Sequence, residues 1–146
     1  MQLAWGYAPP LIIEAAVEHG VFDHLEKRPL TLEELAAATG ASTRGLKAIL
    51  DALVALQFLS RSGERYALTP ESAAFLVSSK PSFYGGFFRH ISTQLLPQWL
   101  QITDVVRTGR PALSVNERGR GAEFFAQGEG FIEPPRKGSQ LLQPWR

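Results

Sequence analysis

A mainly α fold is predicted by this sequence: a winged helix-turn-helix with a small β-hairpin wing, followed by long aromatic-rich helices. Three observations lead to it. The stretch TLEELAAATGASTRGLKAILDALVALQFLSRSGERYAL, Thr31 to Leu68, holds two helical patterns joined by a turn and closes on two short strand patterns. Leu46, Ile49, Leu50, Leu53 and Val54 repeat at i, i+3, i+4, i+7 and i+8, the stripe of one buried helix face. Phe83, Phe87, Phe88, Ile91, Leu95, Trp99, Ile102 and Val106 then keep a near-helical period over about 24 residues, roughly 36 Å of helix.

Taken in order, Pro9 and Pro10 suit a helix entrance, because proline in the first turn loses no hydrogen bond, and Gly20 stops that first helix. Val21, Phe22 and Leu25 form an apolar patch in the connection and are expected to plug into the core. Thr31 and Glu34 form a capping box, which gives the paired acids Glu33 and Glu34 a structural task rather than acid–base work. Gly40 ends this helix and Ser42 caps the next, whose outer face is Arg44, Lys47, Ala48, Asp51, Ala52 and Ala55. Phe58 to Arg61 and Arg65 to Leu68 read as the two strands of the wing around Ser62 and Gly63, with Leu59, Tyr66 and Leu68 inward. Thr69 and Pro70 open a short helix that ends before Lys80 and Pro81.

In the long aromatic helix Pro97 is expected to cause a break or kink. Tyr84, Leu96, Leu100 and Val105 widen its apolar surface beyond one stripe, so a further surface should cover it. After Gly109 the pattern decays. Ala122 to Ala126 could form a turn or two of helix, but Gly128, Gly130, Pro134, Pro135, Gly138 and Pro144 oppose regular structure beyond. The chain thus divides into a winged-helix domain (1–80), a helical extension (81–126) and an irregular tail (127–146).

Composition narrows the functions. With 45% hydrophobic and 20% charged residues the chain has the make-up of a globular protein, and no apolar run nears the roughly 20 residues of a membrane span. No signal-peptide pattern opens it, so a cytoplasmic location is expected. The absence of cysteine excludes disulfides and thiolate catalysis. Among three histidines, His19 and His24 fall on different helical faces, so no metal site is expected. The GxG of Gly128 to Gly130 lacks the strand and helix a nucleotide loop needs.

A winged helix can bind DNA, and Arg44, Lys47, Arg61 and Arg65 are its candidate contacts. Yet between Thr31 and Pro70 these four cations face four acids, Glu33, Glu34, Asp51 and Glu64, whereas duplex binding rests on neutralising phosphates. The alanine-lined outer face of the third helix offers no side chain before Gln57 to read adenine. Nucleic acid is therefore a disfavoured partner, and a winged-helix transcription regulator is the alternative reading. The basic excess sits elsewhere: from Arg107 to Arg146, seven cations face four acids.

The run AVEHGVFDHLEKRPLTLEELAAATGASTRGLKAILDALVALQFLSRSGERYALTPESAAFL resembles the N-terminal domain of S-adenosylmethionine-dependent O-methyltransferases of plants and bacterial secondary metabolism. The later FFRHI, the Trp99 helix, RTGRPA and GAEFF resemble the segment leading into the catalytic domain, so the likeness covers about residues 10 to 126. It implies a dimerisation and substrate-lid domain, a homodimer, and a catalytic methyltransferase domain as a possible partner. It also implies that Phe87, His90 and Trp99 line the substrate, although a histidine satisfied within a core or interface is the commoner case. The family's glycine-rich cofactor loop and histidine base have no counterpart here. The expectation is a chain truncated before the cofactor-binding domain, with no catalytic residues and no cofactor of its own; S-adenosylmethionine belongs to the full-length enzymes.

Overall fold

The computed structural model describes residues 2–112. A short 3-10 turn at Gln2–Trp5 leads into α1 (Ala8–Glu18), with proline in its first turn. Gly20, at φ 65°, reverses the chain into α2 (Val21–Lys27). The connection expected around Val21 to Leu25 is therefore helical. A left-handed glycine starts a second helix as readily as it ends the first, and all three apolar residues of the patch are buried.

Next come β1 (Leu30–Thr31), α3 (Leu32–Thr39), α4 (Thr43–Ala55), β2 (Leu59–Ser62) and β3 (Arg65–Leu68). The capping box is present, with the Glu34 amide donating to Thr31 Oγ1 (3.2 Å) and the Thr31 amide to Glu34 Oε2 (2.8 Å). Gly40 takes φ 71°, and the Gly45 amide donates to Ser42 Oγ at 3.2 Å. The wing is a three-stranded antiparallel sheet in the order β1-β3-β2, in which Tyr66 faces Leu30 on one side and Arg61 on the other. Its first strand is only two residues long, too short to carry a periodic signal. Phe58 stays outside β2, because α4 ends in a motif that uses it: the Phe58 amide donates to the Leu53 carbonyl (2.9 Å) and the Gln57 amide to that of Val54 (3.0 Å). Gln57 sits at φ 64°, where glycine is the usual occupant.

α5 (Pro70–Phe75) carries a second capping box, Thr69 with Ser72, which satisfies the one buried polar side chain among the described residues. The core joins Ile13 and Ala16 of α1, Phe22 and Leu25 of α2, Leu35 of α3 and the Leu46, Leu50 and Leu53 stripe of α4 to Leu59, Tyr66 and Val77. Each large side chain so buried contributes about 1.5–3 kcal/mol.

The aromatic stretch is segmented rather than one long helix. α6 (Gly86–His90) passes through a π-helical turn (Ile91–Leu95) into α7 (Leu96–Trp99), and α8 (Ile102–Thr108) follows a break at Leu100 and Gln101. The break or kink expected at Pro97 takes the form of a π-helical turn just before it, and the chain breaks only at Leu100 and Gln101. The Leu96 amide reaches five residues back to Ile91, and the widened turn precedes the proline, which sits in the first turn of α7. The expectations for Ala122–Ala126, the GxG and the tail lie outside the described residues.

Candidate functional site

The aromatic segment is held to the winged helix through α1. Gly85 is buried there: a Cβ added to it would stand 2.4 Å from the Phe83 ring and 3.1 Å from Val17, so glycine is what permits the approach. Phe88 packs against the core, and Ser92 Oγ donates to Glu14 Oε1 at 2.6 Å, tying the π-helical turn to the middle of α1. Farther out Arg89 pairs with Glu18 at 3.7 Å.

On this scaffold Phe87 is the centre of an aromatic cluster, with ring centroids 5.1 Å from Tyr84, 6.1 Å from Phe88 and 6.5 Å from His90. Phe87 and His90 are thereby brought together, one helical turn apart, and the His90 Nδ1 is buried. Trp99 is not part of that cluster; it is 66% exposed at the end of α7, and Leu100 and Val106 beyond it are more exposed still. The arrangement offers an apolar, stackable surface. Among the described residues no group of acids and histidines could hold a metal ion.

Three of the four cations of the DNA reading are held by two acids, Asp51 and Glu34. Lys47 pairs with Asp51, which also receives Arg61 (3.8 Å) and the Tyr66 hydroxyl (3.3 Å). Arg61 additionally lies over the Tyr66 ring. Arg65 binds Glu34 (3.1 Å) and the Pro29 carbonyl (3.1 Å), and Glu34 also holds Arg28 (2.9 Å). Only Arg44 of the four has no ion pair among the described residues. The same contacts depress the carboxyls: the Thr31 amide first and then Arg28 hold Glu34 below the usual glutamate range, and Lys47 does so for Asp51. Burial, aided by the Asp51 charge, pushes the Tyr66 phenol up.

Two further features escaped the sequence reading. Trp5 and Tyr7, just before α1, are stacked on each other at 6.5 Å and exposed. At the other end of α1, a half-open groove of about 360 Å³ lies between His19 and Ala15, Val21 of α2, and Ala41, Leu46 and Ile49 of the helix-turn-helix. The signal for the aromatic pair was the content of LAWGY ahead of the two prolines; the groove, built from three elements, had none.

A cradle for S-adenosylmethionine is not formed by the described residues. The strands are two or four residues long and all antiparallel, and none leads through a glycine-rich loop into a helix. No helix among them is long and apolar enough to cross a membrane.

The O-methyltransferase dimerisation domain matches residues 1–78 of this chain. The chain is 38% identical to the tetracenomycin polyketide synthesis 8-O-methyl transferase TcmO of Streptomyces glaucescens, over 75% of its own length and 32% of the relative's. It is 34% identical to the N,N-dimethyltransferase OxyT of Streptomyces rimosus, over 97% of its length and 40% of the relative's. Its fold superimposes on human N-acetylserotonin methyltransferase in complex with SAM with a TM-score of 0.72 at 27% identity, covering 88% of this chain and 43% of that one. The chain thus spans about a third to two fifths of these longer proteins. A winged helix whose Lys47, Arg61 and Arg65 are paired with its own acids, followed by a segment that leaves Trp99 exposed, agrees with that match: the chain belongs to the S-adenosylmethionine-dependent O-methyltransferases and carries their N-terminal dimerisation domain.

Proposed function

We propose that the winged-helix domain pairs two copies of this chain, and that the extension, taken from about residue 81, serves as the lid over the acceptor substrate of a methyltransferase catalytic domain. That domain, in the same polypeptide or another, supplies the S-adenosylmethionine site and the chemistry. The observation that carries the reading is the match to a dimerisation domain over residues 1–78, on a fold that leaves Trp99, Leu100 and Val106 open to a further surface. In this role Phe87 and His90 face the acceptor from the α6 side and Trp99 from the α7 end. Their task is to position an aromatic acceptor and exclude water from it.

The test is reconstitution with a catalytic domain of the family. Phe87→Ala and His90→Ala are expected to shift acceptor choice or raise the acceptor KM while the KM for S-adenosylmethionine stays unchanged. Equal activity of these variants and the parent on every acceptor would remove the lid assignment. Calorimetry of this chain alone with S-adenosylmethionine is expected to give no heat of binding.

A further inference from the structure

The turn between α6 and α7 holds one residue more than a regular helix needs, and that residue decides where Trp99 points. Phe88 and Trp99 stand 11 positions apart. At about 100° per residue, this spacing puts them within about 20° of one another on a continuous α-helix. Phe88 is packed against the core, yet Trp99 is 66% exposed. The π-helical turn Ile91–Leu95, where the Leu96 amide reaches back to the Ile91 carbonyl, accounts for the difference. By taking up one extra residue it turns everything after it by about 100° relative to α6.

Three features favour the turn at this place. Pro97 has no N–H to give the Thr93 carbonyl, and in a regular helix its ring would press on that same carbonyl. The Thr93 hydroxyl donates to the Arg89 carbonyl at 2.7 Å, a bond back along the helix of the kind that bends it. Ser92 Oγ donates to Glu14 Oε1 at 2.6 Å, so the turn is also fastened from outside, by α1. The first two are local to the segment. The third ties it to the winged helix.

We infer that this turn is a register device that aims Trp99, with Pro97 and Glu14 as the positioning residues that hold it. In the π register Trp99 is carried off the face that Phe88 buries and toward solvent. In the α register it returns to that face, and the break at Leu100 and Gln101 takes up the about 1.5 Å that one residue spans. Glu14 acts through Ser92, from a different element of the fold. That the outward direction serves contact with an acceptor rests on the lid reading above; the register itself does not.

The chain has three tryptophans, so Trp5→Phe and Trp145→Phe leave Trp99 as the sole emitter. In that full-length background Pro97→Ala removes the local cause and Glu14→Ala the fastening. The chain carrying both should shift Trp99 emission to shorter wavelength and lose acrylamide quenching, with each single variant in between and the helical circular dichroism signal retained. Glu14→Gln in place of Glu14→Ala should bring the spectrum back to that of Pro97→Ala alone, because the amide oxygen still accepts the Ser92 hydroxyl. Parent-like emission and quenching in the chain carrying Pro97→Ala and Glu14→Ala would overturn the register device. An equal shift with Glu14→Gln would overturn the part given to Glu14. Reconstituted with a catalytic domain of the family, the doubly changed chain should show a raised acceptor KM. A shifted spectrum with that KM unchanged would support the register device and remove the lid reading instead.

Discussion

The winged helix and the aromatic extension use the same kind of residue in opposite ways. In the first, Phe22, Leu50, Leu53 and Tyr66 are all at or below 1% exposure, and Lys47, Arg61 and Arg65 around them are paired with Asp51 and Glu34. In the second, Trp99 is 66% and Val106 79% exposed, although the sequence between them is just as apolar. The core of the winged helix closes within one copy, while Trp5 and Tyr7 at its edge stay exposed. The extension is anchored by Phe88, Gly85 and the Ser92–Glu14 bond but carries an outward surface that its own domain does not cover.

If that contrast is right, equal truncations have unequal costs. Leu50→Ala should destabilise the chain by about 2–5 kcal/mol in urea unfolding, the range of a fully buried leucine, whereas Trp99→Ala should stay within about 0.5 kcal/mol. Similar losses at the two sites would erase the distinction. Gly85→Ala probes the seam between the regions. Its new Cβ meets the Phe83 ring and Val17, so a cost of about 1–3 kcal/mol is expected, together with a changed near-ultraviolet spectrum as the aromatic cluster shifts.

Much of the winged helix was legible because its signals are local. The Thr31–Glu34 box, Gly40 at positive φ, the Ser42 cap and the α4 stripe each need only a few neighbouring residues, and all stand where the pattern puts them. What escaped depends on distant partners or on local geometry without a residue signature. β1 exists only because Leu30 and Thr31 pair with Tyr66 and Arg65 more than thirty residues away. The π-helical turn has no periodic signature, and the helix is interrupted at Leu100 and Gln101 as well as widened just before Pro97. Gln57 at positive φ is invisible in a propensity scan, since glycine normally holds that place. Of the candidate substrate side chains, Phe87 and His90 lie three residues apart on α6 and stack at 6.5 Å, a contact the apolar period did not include. Trp99 lies beyond the π-helical turn and Pro97 and stands exposed at the end of α7.

Smaller effects sharpen the picture inside the winged helix. Thr31→Ala removes a capping box and should cost about 1 kcal/mol, read as a lower urea midpoint. Gln57→Gly should raise that midpoint by up to about 1 kcal/mol, because glycine takes a left-handed φ without a Cβ penalty. Glu34 and Asp51 have lowered folded pKa values, so the folded chain binds fewer protons than the unfolded one near the carboxylate range. The stability they contribute is present above their ordinary values and is lost as pH falls through the depressed ones, from about pH 5 downward. Glu34→Gln should flatten that acid limb of the urea midpoint, and an unchanged limb would assign it to other groups.

The most direct measurement of the central claim is the mass of the full chain in solution. Light scattering on a sizing column, over a hundredfold range of loading, should give twice the 16.1 kDa chain mass, with dissociation only at the lowest concentrations. A mass of 16.1 kDa throughout would contradict the pairing scaffold.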